Sequence, residues 1–221
     1  MLRRKRPPEK HVAYFALVEA CRSADCPICR LVTQRVAKYF ETLLFEGICN
    51  EDFINQFRAA YGFCNHHAHQ FAASNDGLAI ALTHRDLLAV TLAGVRAKGL
   101  RYLAKQPAQA CLICDIAREE ETRHLTVFLD FFPDPEFKML VLASAGLCVP
   151  HYRTLLARRK TIPAWFQDFQ MEAYTTLMRQ LDRYLESCNF SSGAPQPPLT
   201  EAESLAWQKA VRLLFGHAGQ R

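Results

Sequence analysis

The sequence predicts an all-α protein made of two tandem, duplicated four-helix units, each organised around a CxxC…CxxH metal site, with N- and C-terminal helices added. Apolar residues recur at helical spacing, whereas alternating patterns joined by hairpin dipeptides are nearly absent. Glycine is sparse, with nine among 221 residues. Cysteine and histidine motifs recur in the same order about 84 positions apart, which indicates an internal repeat.

The repeat rests on four pairs of matching segments. In chain order these are CPIC at 26–29 with CLIC at 111–114, Phe53 with Phe137, GFCNHH at 62–67 with GLCVPH at 146–151, and RYL at 101–103 with RYL at 183–185. The offset stays within 82–85 positions, so two similar units are the simplest explanation.

This repeat divides the chain into six segments. They are a basic flexible tail at 1–8, a leader helix at 9–25, repeat unit 1 with metal site 1 at 26–108, repeat unit 2 with metal site 2 at 109–188, a flexible linker at 189–199 and an amphipathic helix at 200–221. Each unit is expected to hold four helices. In the first unit, one helix begins at residue 26 and the other three cover about 51–61, 64–73 and 78–104. In the second unit, the four helices cover about 111–131, 135–145, 148–158 and 163–188.

The two added helices have their own patterns. The leader is predicted to bury one side that carries Val12, Phe15, Val18 and Cys21. Thr200 and Glu203 have the spacing of a capping box, which predicts that the last helix begins there. Its apolar residues are Leu205, Trp207, Val211, Leu214 and Phe215.

The repeated motifs supply two sets of metal ligands. We assign Cys26, Cys29, Cys64 and His67 to the first site, and Cys111, Cys114, Cys148 and His151 to the second. Within the repeat, His66 aligns with Pro150 and His69 with Arg153, so neither is the repeated ligand. The sequence leaves open a second topology, in which the CxxC of one unit meets the CxxH of the other.

Three cysteines and one histidine form a typical tetrahedral zinc set, so two zinc ions per chain are expected. An iron–sulfur cluster is less favoured because such clusters more often take four cysteines. Redox CxxC motifs usually accompany a βαβ pattern, which this sequence lacks. Buried apolar cysteines would be the simplest non-metal reading, but they would not explain why these eight positions repeat. Four protein ligands leave no position for water or substrate, which favours a structural site.

Three further residues carry weaker signals. Glu121 and His124 form an ExxH, but the aligned positions are Val36 and Tyr39, so an exposed polar face is the favoured interpretation. His84 is predicted to lie on the inner face of its helix with Leu88 and Val95, as a hydrogen-bonded core histidine. No phosphate-binding loop, nucleophile elbow or HExxH is present, so a non-enzymatic role is favoured.

Charge and composition limit the function classes. The net charge is +5, and four positive charges fall in the first six residues, so nucleic-acid binding through this tail is a minor alternative. No export signal or membrane-spanning run is expected, which predicts a cytoplasmic protein without a transmembrane segment. Nine cysteines in that reducing compartment indicate metal or redox chemistry.

The motifs also resemble a family. The order CPIC, GFCxxH, CxIC and GLCxxH is similar to that of an uncharacterised bacterial family of small helical proteins, over about residues 10–187. The resemblance implies the duplicated architecture and a prokaryotic, cytoplasmic setting, and it implies no activity. The leading hypothesis is a zinc-stabilised helical interaction protein that contacts another protein through its grooves or through the C-terminal helix at 200–216. A redox or iron–sulfur protein, or an enzyme using the Cys/His sites, is the competing hypothesis.

Overall fold

The computed structural model of the protein describes residues 9–104, 110–159, 161–188 and 197–218. The helices are α1 (Val12–Ala20), α2 (Pro27–Thr42), α3 (Glu51–Ala59), α4 (Asn65–Ala72), α5 (Gly77–Lys98), α6 (Leu112–Asp130), α7 (Pro135–Leu142), α8 (Val149–Arg158), α9 (Ala164–Ser187), α10 (Glu201–Ser204) and α11 (Ala206–Phe215). Within these ranges there is no strand, which confirms the all-α prediction. The predicted basic tail at 1–8 and most of the predicted linker, residues 189–196, lie outside the described residues.

The chain forms two units that do not follow the sequence repeat. The first comprises the described residues of Met1–Leu31 and Glu121–Gln220, and the second comprises those of Val32–Glu120. One boundary therefore falls inside α2 and the other inside α6. The second unit combines α3, α4 and α5 with the first half of α6, so it takes residues from both predicted repeats.

The first unit has an aromatic core. The ring of Phe128 lies 5.2–5.4 Å from those of Phe132, Phe137 and Phe166. Edge-to-face pairs of this kind stabilise beyond the area they bury. These rings connect α6, α7 and α9.

The leader helix joins this core by a face that differs from the predicted one. Tyr14 and Leu17 are buried, and the Tyr14 ring lies 4.4 Å from that of Phe131. Of the predicted stripe, Val12 and Phe15 are exposed, whereas Val18 is half-buried and Cys21 is buried, so the prediction was wrong for its first two residues. Because α1 is apolar on several sides, its sequence pattern does not single out one buried face.

The second unit is built around its own aromatic cluster. Buried residues of this core include Phe40, Phe53, Phe57, Phe71 and Ile113. The helix α3 begins where the Asn50 side chain accepts a hydrogen bond from the backbone N–H of Phe53. This N-cap satisfies a donor that the helix itself cannot pair.

The long helix α5 ends earlier than predicted. It stops at Lys98, because Gly99 adopts φ +69°, and a 3₁₀ turn follows over Leu100–Ala104. The ring of Tyr102 folds back onto Gly94, where an added Cβ would overlap it. The predicted continuous helix at 78–104 is therefore wrong at its C-terminal end.

Among the described helices, only α5 is long and apolar enough to cross a membrane, judged by length and composition alone. Its inner face packs on the core of the second unit through Ala79, Ile80 and Leu87. Near the middle of the helix, Asp86 accepts a bidentate hydrogen bond from the Arg58 guanidinium of α3. These contacts make α5 part of the bundle of its unit.

The C-terminal segment begins as predicted. The Thr200 hydroxyl accepts from the backbone N–H of Glu203, and the Glu203 carboxylate accepts from the backbone N–H of Thr200, which confirms the capping box. The single predicted helix is divided at Leu205 into α10 and α11. The helix α11 packs on α8 and α9 within the first unit.

Candidate metal centres

Each ligand motif lies at the start of a helix. Cys26 and Cys111 immediately precede the first turns of α2 and α6, and Cys64 and Cys148 are the N-caps of α4 and α8. The second ligand of each motif follows three residues later, in the first turn. Unpaired N–H groups and the helix dipole at such a position favour thiolate over thiol.

The first group lies wholly in the first unit and is deeply buried. Its members are Cys26, Cys29, Cys148 and His151. The Nδ1 atom of His151 lies 3.5 Å from Cys26 Sγ, 3.4 Å from Cys29 Sγ and 3.0 Å from Cys148 Sγ. The Sγ atoms of Cys29 and Cys148 are 3.6 Å apart.

The second group lies wholly in the second unit. Its members are Cys64, His67, Cys111 and Cys114. The Nδ1 atom of His67 lies 3.2 Å from Cys64 Sγ, 3.6 Å from Cys111 Sγ and 3.4 Å from Cys114 Sγ. The Sγ atoms of Cys64 and Cys114 are 3.7 Å apart.

These distances lie within about 0.5 Å of the edges of a zinc coordination tetrahedron, and the shortest is the 3.0 Å from His151 Nδ1 to Cys148 Sγ. With Zn–S near 2.3 Å and Zn–N near 2.0–2.1 Å, regular geometry places two sulfurs about 3.8 Å apart and sulfur and nitrogen about 3.5 Å apart. The corresponding edges here are 3.6–3.7 Å and 3.0–3.6 Å. In each group, three sulfurs and one Nδ1 atom could therefore hold one metal ion.

The eight predicted ligands all enter a group, but the predicted pairing within each repeat was wrong. The CxxC of each repeat meets the CxxH of the other. The reason is that Cys26 and Cys29 stand at the start of α2, which leaves the first unit after Leu31, whereas Cys64 and His67 start α4 in the second unit. His66 and His69, excluded by the alignment, belong to neither group and are exposed.

The electrostatics of the first group suit a cation. Burial opposes ionisation of Cys26, but contacts with Cys148, Cys29 and His151 outweigh it and lower the pKa of its thiol well below the usual value. For His151, burial is outweighed by contacts with Cys148 and Cys26, which raise its pKa to about 10. Cys29 has a raised pKa because it contacts Cys148 and Cys26 and is buried. The single positive charge of a protonated His151 therefore stabilises only some of the three thiolates. A divalent cation would stabilise all three at once.

In the second group the pKa values of the thiols again shift in opposite directions, but the pKa of the histidine is lowered rather than raised. Burial raises the pKa of Cys114 to about 12 and lowers that of His67 to about 4. The pKa of Cys64 is lowered even though burial opposes this, because its sulfur accepts backbone hydrogen bonds at the start of α4 and contacts Cys114. A neutral imidazole is the form that binds a metal.

Glu121 and His124 do not form the exposed face that the sequence favoured. The Glu121 Oε1 atom lies 3.9 Å from Nε2 of His151, on the side of the ring opposite the sulfurs. This separation is an ion-pair distance and is too long for a hydrogen bond, so the carboxylate acts on the far nitrogen of the ring through its charge. His124 is buried, with 2% of its surface exposed. The sequence did not predict the contact of Glu121 or the burial of His124, because both residues lie in a run of polar residues. Helical periodicity assigns such a run to the exposed face of a helix.

Gln170 of α9 is a supporting residue that was not selected from the sequence. Its side-chain Oε1 accepts from the backbone N–H of Leu147 at 3.0 Å, and its Nε2 donates to the Leu147 carbonyl at 2.8 Å. This clamp fixes the backbone just before Cys148, next to Gly146 with its positive φ of 74°. A glutamine within an otherwise apolar helical stripe is the only signal that the sequence offered.

The remaining candidates are not ligands. The Nδ1–H of His84 donates to the Ile80 carbonyl at 2.8 Å, and its ring lies against Phe57 and Phe71. The predicted hydrogen bond is therefore present, but the side chain is half-buried at the edge of the core. Its predicted neighbour Leu88 is exposed instead. Cys21, Cys49 and Cys188 join neither group, and no disulfide links any of the nine cysteines.

A helical protein with two Cys3His groups is the class that the fold and the sites define. The chain belongs to a family of unknown function, DUF6062, which matches residues 9–189. It is also similar to a protein of Caldicellulosiruptor sp. (strain Rt8B.4) described as an uncharacterized 23.9 kDa protein in the xynA 3′ region, with 24% identity over 209 residues, 90% of this chain and 99% of the relative. No solved structure matches the chain. The predicted resemblance to a family without an assigned activity is confirmed.

Proposed function

We propose that this protein is a zinc-stabilised helical binding protein, in which two structural Cys3His zinc centres maintain the fold and an apolar face of α11 binds another protein. The observation that carries the metal assignment is the agreement of both donor sets with the edges of a zinc tetrahedron. Four protein donors per site leave no coordination position for a substrate, which supports a structural rather than a catalytic metal.

Zinc is the metal that this donor set suits best. Three thiolates and one imidazole in tetrahedral array favour zinc over magnesium, calcium or manganese, which prefer oxygen ligands. All donors are sulfur or nitrogen, and neither group includes a carboxylate. A protein that relies on such thiolates needs a reducing compartment, so we expect it to act inside the cell.

Paired cysteine substitutions test both the metal and the crossed pairing. The wild-type protein should contain two zinc per chain by elemental analysis. The double variant Cys26→Ser/Cys148→Ser removes two ligands of one group and should keep one zinc. The matched double variant Cys26→Ser/Cys64→Ser damages both groups and should keep none. If ligands paired within each sequence repeat, these two results would be exchanged, and a wild-type protein with less than one metal per chain would reject the function.

The binding face is proposed from the orientation of α11. Its inner side, including Ala206, packs on the first unit, whereas Trp207, Val211, Leu214 and Phe215 are each at least half exposed. These four residues follow one another at helical spacing, so they form a continuous apolar stripe that faces away from the packed side. Trp and Phe are enriched at the centres of protein interfaces.

Site-specific photocrosslinking tests this face in cells. A crosslinking residue at Val211 should give a discrete adduct, and the added change Leu214→Glu should abolish it. Met139 is comparably exposed on α7 and serves as the matched control position, which should give no adduct. Equal labelling from both positions, or no adduct from Val211, would contradict the proposed binding face while leaving the zinc assignment intact.

A further inference from the structure

We infer that the two metal centres have different roles: the Cys26 group holds a permanent metal, and the Cys64 group exchanges its metal with solution. The second unit would then respond to the supply of a borderline-soft divalent cation such as zinc. This inference rests on the proposed function, because it requires that both groups bind metal. Three independent structural differences support it.

The first difference is access. In the Cys26 group every ligand is at most 8% exposed, and Cys29 and Cys148 are at most 1% exposed. In the Cys64 group, Cys64 and Cys114 are only half-buried. A chelator or an incoming ligand must reach the metal or its sulfurs to displace them, so exchange at the second group meets a smaller steric barrier.

The second difference is the support of the ligating histidine. The Glu121 carboxylate lies behind the His151 ring in the first group. At the repeat-equivalent position the chain has Val36, whose side chain has no carboxylate to place behind His67. The negative charge of a carboxylate at this distance raises the basicity of the ligating histidine, so the first group gains metal affinity from Glu121.

The third difference is the backbone before the CxxH motif. Gly146 lies against the Gln170 amide, which forms two hydrogen bonds with Leu147. The corresponding Gly62 lies against the apolar side chain of Leu87. The backbone before Cys148 is therefore held by two hydrogen bonds from a side chain of another helix. The backbone before Cys64 is held by packing and by a local hydrogen bond from the Gly62 N–H to the Phe57 carbonyl at 2.7 Å.

The surroundings of the Cys64 group also offer additional nitrogen donors. His66 and His69 lie on α4 and are exposed, and the His66 ring is 5.0 Å from that of His67. Imidazoles are common metal ligands, so His66, whose ring adjoins that of His67, is a further nitrogen donor beside this group. No histidine follows Cys148 at the matching positions, which are Pro150 and Arg153.

Metal release from the full-length zinc protein tests the inference. A competing chelator dye would report zinc loss, and tryptophan emission would report the first unit alone, because both tryptophans, Trp165 and Trp207, lie in it. We expect one zinc to leave in a fast phase with unchanged tryptophan emission. The second zinc should leave at least tenfold more slowly, together with a change in that emission.

Two variants assign the phases without touching a ligand. Glu121→Gln should accelerate the slow phase about tenfold or more and leave the fast phase unchanged, since such outer partners typically contribute 10–100-fold in affinity. Gln170→Leu should act on the slow phase in the same direction. Glu119→Gln, an exposed change on the same helix, is the matched control and should alter neither phase.

The outcomes separate this inference from the proposed function. A protein without bound zinc would reject the proposed function itself. Two zinc ions that leave in one phase, or a fast phase accompanied by the tryptophan change, would overturn the inference while the structural zinc assignment stands. An unchanged slow phase in both Glu121→Gln and Gln170→Leu would show that these residues do not make the centres different.

Discussion

At the scale of single residues, burial lowers the pKa of His124 and so affects the stability of the protein in acid. His124 is nearly inaccessible in the first unit, and burial lowers its pKa from 6.5 to about 4. Its position at the end of an ExxH pattern therefore does not make it an exposed residue or a metal ligand. The neighbouring Glu121 acts on His151 instead, at 3.9 Å.

The depressed pKa of His124 predicts an acid-dependent loss of stability. Between pH 6.5 and about 4 the unfolded chain binds a proton at this imidazole and the folded chain does not. The contribution of neutral His124 to the free energy of unfolding is therefore complete above pH 6.5 and is lost as the pH falls towards 4. The expected contribution to the free energy of unfolding is about 3 kcal/mol. Urea unfolding of wild type and His124→Gln across this range should give a steeper decline for wild type.

Acid also releases metal from thiolates, so zinc content must be measured at each pH in both proteins. The comparison is valid where the two retain the same zinc content. Parallel stability curves for the two proteins in that range would argue against the assigned role of burial at His124.

At the scale of elements, the end of α5 depends on one close approach. The Tyr102 ring occupies the space where a side chain at Gly94 would stand. Gly99, with φ +69°, allows the chain to turn back so that this contact forms. Neither feature follows from apolar periodicity, because residues 100–104 continue the apolar character of the helix.

A sign reversal is therefore expected for Gly94→Ala. In the wild-type background the new methyl group displaces Tyr102 and the 3₁₀ turn, so the substitution should destabilise the protein. In a Tyr102→Ala background the same change should stabilise by about 1 kcal/mol, which is the helix-propensity difference between glycine and alanine. A double-mutant cycle from urea unfolding measures this coupling. Additive effects would mean that Tyr102 does not rest on Gly94 in solution.

At the scale of the whole molecule, the two metal groups are expected to decide whether the chain folds. A structural zinc site contributes about 10–16 kcal/mol of apparent binding free energy in peptide systems, compared with about 5–15 kcal/mol for the stability of a typical domain. Each unit contains one group. Loss of both metals should therefore remove most of the stability of both units.

Complete chelation should thus abolish most of the far-ultraviolet circular dichroism of the helices. Adding zinc should restore it, and adding magnesium should not, because magnesium prefers oxygen ligands. The signal should be followed under reducing conditions, so that Cys49 and Cys188, which are exposed and belong to neither group, do not form disulfides. A chelated protein that keeps its full helical signal would show that the aromatic cores suffice without metal.

The sequence by itself determined the helical class, the capping box at Thr200 and the eight metal-ligand candidates, because these depend on local spacing. The sequence did not predict the buried face of α1 or the C-terminal end of α5, because both depend on contacts outside the helix itself. Only the tertiary structure decided which CxxC motif meets which CxxH motif. Each CxxC and each CxxH supplies two of the four metal ligands, so a CxxC could complete its site with the CxxH of either repeat. The choice depends on where α2 and α6 pass from one unit to the other, and no local pattern encodes that.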